Sequence, residues 1–189
     1  MRRLLLVPAA PVCLGLACLA AAPAPKAPPA KATPAAKAAP AKPAPAAGPY
    51  DAQNPQSLMD ILGAAGAKVQ TSRKEEDAVF VTVTSTAANF SLQFAGCNRQ
   101  GRGCQAALYD SLLEGAAPTL GQINGFNQTS VFCRIYQDRG GKPHAIYAAL
   151  LVKSDTRETA LTHLAAWQGC LAEARTFVRD PAAYLAEAA

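Results

Sequence analysis

The 189-residue chain carries 18 Lys and Arg against 13 Asp and Glu, a formal net charge of +5, with 50% hydrophobic and only 6% aromatic residues. The positive excess is confined to the first 49 residues, where Arg2, Arg3, Lys26, Lys31, Lys37 and Lys42 lie; the rest carries 12 cations against all 13 acids, about −1. The basic balance therefore gives no ground for nucleic-acid binding, which requires a clustered basic face on folded sequence.

Met1, Arg2 and Arg3, followed by the uncharged apolar run from Leu4 to Leu19, have the n-region and h-region of an export signal. The run falls short of the roughly 20 residues that a bilayer span takes, and Pro8 and Pro11 each remove a helix hydrogen bond. Cleavage is expected rather than anchoring, and small residues at Cys18 and Ala20 place the cut after Ala20, making residues 1–20 a signal peptide. Gly15, Leu16, Ala17 and Cys18 also resemble a bacterial lipoprotein processing box, although leucine is usual where Gly15 stands. Acylation of Cys18 stays open as a second reading, and the membrane is a partner only in that case.

Residues 21–49 are almost entirely Ala, Pro and Lys, with no large apolar side chain from which to build a core. Frequent prolines hold the backbone near polyproline II, so the segment reads as a semi-rigid, solvated tether. Residues 50–189 have the length of one domain.

Asn54 and Pro55 open a helix whose apolar face is Leu58, Ile61 and Leu62, with Gly66 at its end. Asp77 to Thr84 and Asn89 to Gly96 alternate as half-buried strands joined through Ser85 to Ala88; Val79, Val81 and Val83 match Phe90, Leu92 and Phe94. A third strand runs from Cys104 to about Leu113, with a helix as the competing reading. Pro118 to Asn127 reads as a short helix. Thr129 to Gln137 and Pro143 to Val152 then form a hairpin about Asp138, Arg139, Gly140 and Gly141. Asp155 and Glu158 supply a capping box for a long helix with the stripe Leu161, Leu164, Trp167, Leu171, Ala174 and Val178, and Pro181 to Glu187 adds a last turn or two. The predicted order is α-β-β-β-α-β-β-α, an α+β fold: an antiparallel sheet with helices packed on it.

Export leaves Cys97, Cys104, Cys133 and Cys170 in an oxidising compartment, where an even count suits disulfides. Cys97 and Cys104 flank a short loop with Gly101 and Gly103 and are expected to pair. Cys133 and Cys170 either form a second bridge from sheet to helix or remain buried thiols. The cysteine spacings lack the close ligand pairs of structural zinc sites, and no Cys-x-x-Cys is present, so neither a metal nor a redox role is expected.

His144 and His163 have no motif partner, and Ser91, Ser111 and Ser130 lack the elbow signature of a hydrolase nucleophile. Glu75, Glu76 and Asp77 read as a solvated turn rather than paired catalytic carboxylates. No phosphate-binding glycine motif occurs. No catalytic residue and no cofactor is predicted.

From Phe90 to Leu151 the chain resembles the YbjN domain family, described as bacterial sensory transduction regulators. The resemblance rests on FSLQFAGC, on a second Gly-Cys at Gly103 and Cys104, on INGFN at Ile123 to Asn127, and on FCRIYQDRGGKP at Phe132 to Pro143. Phe126 replaces the family's usual Trp, Val131 stands where Arg is frequent, and His144, Ala145, Ile146 and Tyr147 replace acidic residues after the hairpin proline. The resemblance implies a fold similar to type III secretion chaperones, which bind partner polypeptides on a sheet-and-helix surface and catalyse nothing. Asn124 and Asn127, both in the resembling motif, read as turn-capping side chains or, with Phe126 and Tyr136, as partner contacts.

The leading expectation is a periplasmic or secreted, non-catalytic binding module that recognises a protein or envelope component. An envelope enzyme using His144 with a nearby acid is the alternative from another class, and a homodimer formed by pairing of edge strands is the third.

Overall fold

The structure, a computed structural model, describes residues 49–115 and 117–188. The leader, the cut after Ala20, Cys18 and the tether up to residue 48 lie outside the described residues.

Helix α1 (Pro55–Ala64) begins as its sequence dictates: the Asn54 side chain accepts from the Gln56 N–H, and Pro55 occupies the first turn. It ends at Gly66, whose φ of +86° is open to glycine at little cost. Strand β1 (Lys68–Lys74) follows, then β2 (Ala78–Thr84), β3 (Asn89–Ala95) and β4 (Ala106–Leu112). Helix α2 (Leu120–Thr129) leads into β5 (Arg134–Gln137), β6 (Pro143–Leu150), the long helix α3 (Arg157–Arg179) and α4 (Pro181–Glu187). The six strands form one antiparallel sheet in the order β1-β2-β3-β4-β6-β5, so the fold is α+β with four helices among the described residues.

The β2–β3 register sets Val79 opposite Phe94, Val81 opposite Leu92 and Val83 opposite Phe90, so one sheet face is continuously apolar. Ala107 and Tyr109 of β4, Ile135 of β5, and Ala145, Tyr147 and Ala149 of β6 extend that face. Leu58, Ile61 and Leu62 of α1 and Trp167, Cys170, Leu171, Ala174 and Phe177 of α3 close over it. Trp167 is 1% exposed, its ring centroid 5.7 Å from both Phe90 and Tyr109. Truncating such a side chain typically costs about 3–5 kcal/mol.

Five strands were expected and six form. β1 escapes a pattern search because Val69 is its only half-buried residue; its partner β2 and its position beside α1 make it a strand. The strand expected from Thr129 is confined to Arg134–Gln137. Upstream, α2 runs on to Thr129, and the Ser130 hydroxyl accepts from the Cys133 N–H, forming a turn where the strand was expected. The capping box of α2 is Thr119 with Gln122, and that of α3 is Thr156 with Thr159 rather than Asp155 with Glu158. Asp155 instead accepts from the Val152 N–H. The long stripe of α3 is also rotated: Ala160 is buried, whereas Leu161 is 41% exposed and Leu164 half-buried.

Both cysteine pairs are bonded, Cys97 to Cys104 and Cys133 to Cys170. The second ties the entry of β5 to α3; the first closes a loop in which Gly101 has φ +74° and an added Cβ would lie 3.0 Å from Val79 Cγ2. One turn further along α3, Glu173 joins three elements: Ser130 Oγ donates to Oε2 at 3.0 Å, and Tyr184 O–H donates to Oε1 at 2.7 Å. Among the described residues no helix is long and apolar enough to cross a membrane.

Burial, then the bond to Glu173, pushes the Tyr184 phenol up to about 12 from its ordinary 10.0. The fold thus favours the protonated phenol, and this contribution is complete below pH 10 and lost as pH rises through about 12. Urea midpoints measured across that window are expected to fall less steeply for Tyr184→Phe than for the parent chain; identical slopes would remove this link.

Candidate functional site

Strand residues alternate between faces, so a core that fills one face leaves the other to whatever lies outside. Here the outward row across the sheet places Phe80 opposite Gln93, Gln93 opposite Leu108, and Leu108 opposite Ala148. The neighbouring rows pair Ala106 with Leu150, Asp110 with Ile146, and Leu112 with His144, which in turn faces Tyr136. None of these side chains is buried, and Leu150 is 79% exposed, Leu112 49%. The core-forming helices α1 and α3 belong to the opposite side.

A polar cluster is set into this face. Tyr136 and His144 are cross-strand partners whose rings stack with centroids 5.0 Å apart. Asp110, one row away on β4, reaches both: Tyr136 O–H donates to Oδ2 at 2.7 Å, and His144 Nδ1 lies 3.0 Å from Oδ1. Asp138, in the β5–β6 turn, places Oδ2 3.7 Å from His144 Nε2. Its Oδ1 accepts from the Gly140 and Lys142 N–H groups, and the Lys142 bond leads in holding this carboxyl below its usual value. Partial burial, then the bond to Asp110, pushes the Tyr136 phenol above the usual tyrosine range.

Asp110 is thus the acid hydrogen-bonded to His144. Nδ1 is held by Asp110, while Nε2, 3.7 Å from Asp138, lies beyond hydrogen-bond distance of that carboxylate. The phenol stays protonated and is committed to Asp110. Ser91 Oγ, on the adjoining strand, is directed to the Asp110 carbonyl at 3.5 Å rather than to the imidazole. This arrangement fixes the directions of donors and acceptors on a rigid sheet, which is what recognition needs.

The four residues expected to contact a partner do not form a patch. Tyr136 belongs to the open face. Phe126 is fully buried on the helix side, 4.8 Å from Phe177 and 5.6 Å from Tyr184 between ring centroids, so it is core and not a contact. Asn127 is committed to the backbone of β5, where Nδ2 donates to the Ile135 carbonyl at 3.0 Å and Oδ1 accepts from the Ile135 N–H at 2.9 Å. One side chain so stands in for a neighbouring strand at the outer edge of β5. Asn124 is exposed on α2. The opposite edge, β1, carries Lys68, Arg73 and Lys74 and an irregularity between Thr71 and Arg73, both features that discourage strand addition.

His163 lies on the helix-covered side, its Nδ1 2.7 Å from the Tyr147 hydroxyl. Glu75 pairs with Arg73 at 2.8 Å and Glu76 with Arg99 at 3.5 Å in an exposed turn. Among the described residues no three His, Cys, Asp or Glu side chains are grouped as metal ligands. Asp110 was not singled out from sequence; its one signal is an acid within the strand ALYDSL, on the face opposite Ala107 and Tyr109.

Comparison of the chain with protein-family models, with curated proteins and with solved structures found no match in any of the three.

Replacing Asn127 with Ala leaves both backbone groups of Ile135 without their partners and is expected to lower unfolding free energy by about 1–3 kcal/mol. Asn124→Ala, at an exposed site, is expected to change it by less than about 0.5 kcal/mol. Urea unfolding of the two variants side by side checks the contrast; equal effects would contradict it.

Proposed function

We propose that the chain is an exported, non-catalytic binding module of YbjN type that recognises a protein or envelope component through the uncovered face of its sheet. The observation that carries this reading is the face itself: Leu108, Ile146 and Leu150 extend along it beside a polar cluster whose hydrogen-bonding groups are held in place. Apolar area supplies affinity, and fixed polar groups supply orientation. A fold of type III secretion chaperone kind, as the family resemblance implies, accords with docking on a sheet. Export is supported by the sequence of the leader and by two disulfides, which are compatible with an oxidising periplasmic or extracellular setting. The partner is a protein or envelope component rather than a nucleic acid, given a folded region of about −1 net charge.

The enzyme reading would draw on His144 and Asp110, but the Ser91 hydroxyl on the adjoining strand is directed to the Asp110 carbonyl rather than to the imidazole. Pairing of edge strands into a homodimer is disfavoured by the Asn127 bracket on β5 and the cationic β1.

A photo-crosslinking residue placed at Ala148, on the open face, is expected to give a discrete product in the native envelope, and one at Ala172, on the outer side of α3, is not. Leu150→Asp should remove the Ala148 product while leaving thermal unfolding unchanged. Equal crosslinking from both positions, or none from Ala148, would refute docking on the sheet. Intact mass before and after reduction tests export: a chain trimmed of its leader with four cysteines in bonds is expected, whereas Met1 retained with every thiol free would overturn it.

A further inference from the structure

On the helix side, remote from the open face, α1, the β2–β3 hairpin and α3 leave a pocket of about 350 Å³. Leu62, Val83, Phe90, Leu164, Trp167 and Leu171 supply its apolar wall. No charged side chain lines it; its polar side chains are Thr86, Gln168 and Ser85, the last donating to the Ala88 carbonyl and accepting from the Ala88 N–H. The size falls in the range of small-molecule sites.

Two further observations distinguish this hollow from a packing fault. Leu161 and Leu164 continue the apolar stripe of α3, yet the first is 41% exposed and the second only half-buried, since α1 gives way here to the small residues Ala65, Gly66 and Ala67. Trp167, which lines the pocket, carries at Nε1 the one buried side-chain nitrogen or oxygen without a hydrogen-bond partner among the described residues. A buried N–H without an acceptor is costly and rare. It is closed to bulk water, so an acceptor reaches it only if a molecule in the pocket displaces what covers it. Leu161 and Leu164 line the same pocket and are incompletely held by the core.

We propose that this pocket binds a small uncharged ligand with an apolar body and a single carbonyl or ether oxygen, which accepts a hydrogen bond from Trp167 Nε1–H. The apolar lining takes the body of the ligand, and the indole reads the acceptor. A carboxylate is disfavoured, because a lining with neutral donors and no cation cannot replace the hydration an anion loses on burial. The site is separate from the open sheet face and does not depend on the function proposed for it.

Trp167 is the only tryptophan of the chain, so all tryptophan emission comes from a residue that lines this pocket. The probes are 2-octanone and octanoate, titrated into the full chain with its disulfides intact, with thermal unfolding as a second readout. Saturable change in Trp167 emission and a raised Tm are expected with 2-octanone, and affinity at least about tenfold weaker with octanoate. Ala87→Phe, at the exposed rim, narrows the entrance and is expected to weaken 2-octanone binding while leaving the ligand-free Tm unchanged. Trp167→Phe, followed by calorimetry, is expected to cost about three- to tenfold in affinity for the ketone. Absence of saturable binding by 2-octanone, equal affinity for octanoate, or an Ala87→Phe variant that binds as the parent does would each overturn the proposal.

Discussion

Trp167 lies where α3 crosses the sheet, against Phe90 of β3 and Tyr109 of β4, and this contact decides which face of the sheet is inside. The strands themselves are indifferent: a two-residue period offers two faces, and a helix must choose one. Once α3 seats on the face that carries the row Val81, Leu92, Tyr109 and Tyr147, a shift of register by one residue on any of these strands would send its apolar set into water. The Cys133–Cys170 bond reinforces the choice by tying α3 to the start of β5. Helices on one side alone then leave Leu108, Ile146 and Leu150 outside, and this single asymmetry is what gives the protein a face to offer.

The polar cluster follows from the same geometry. β6 inserts between β4 and β5, so Asp110 and Tyr136, 26 residues apart in sequence, meet across it beside His144. The insertion also leaves β5 at the edge of the sheet, where Asn127 completes its outer hydrogen bonds. Sheet order, the cluster and the protected edge are thus consequences of one chain crossing, from β4 through α2 to β5 and back.

Much of this architecture was legible in local sequence, and the rest depended on distant partners. The β2–β3 hairpin could be read with its side-chain pairing because its register is set by a short turn. The cap of α1 and the positions of Trp167 and of the β5–β6 turn were likewise local. β1 was not legible, since a nearly all-polar strand becomes one only through β2. The α3 cap was displaced by one residue because Asp155 and Thr156 both suit the position, and the Val152 N–H claims the aspartate. In the candidate site, Tyr136 and His144 stood out by residue type, but Asp110 did not, because pairing of β4 with β6 spans a helix and a strand. Phe126 belonged to a recognisable motif and still proved to be core: a motif marks a position without saying which way its side chain points.

Carbene footprinting of the open face tests the central claim most directly, with labelling compared between the chain in its native envelope and the purified chain. Labelling at Leu108, Ile146 and Leu150 is predicted to fall in the envelope while the outer side of α3 labels equally in both. Equal labelling of the sheet face in the two settings would mean that nothing docks there, and the account would fail.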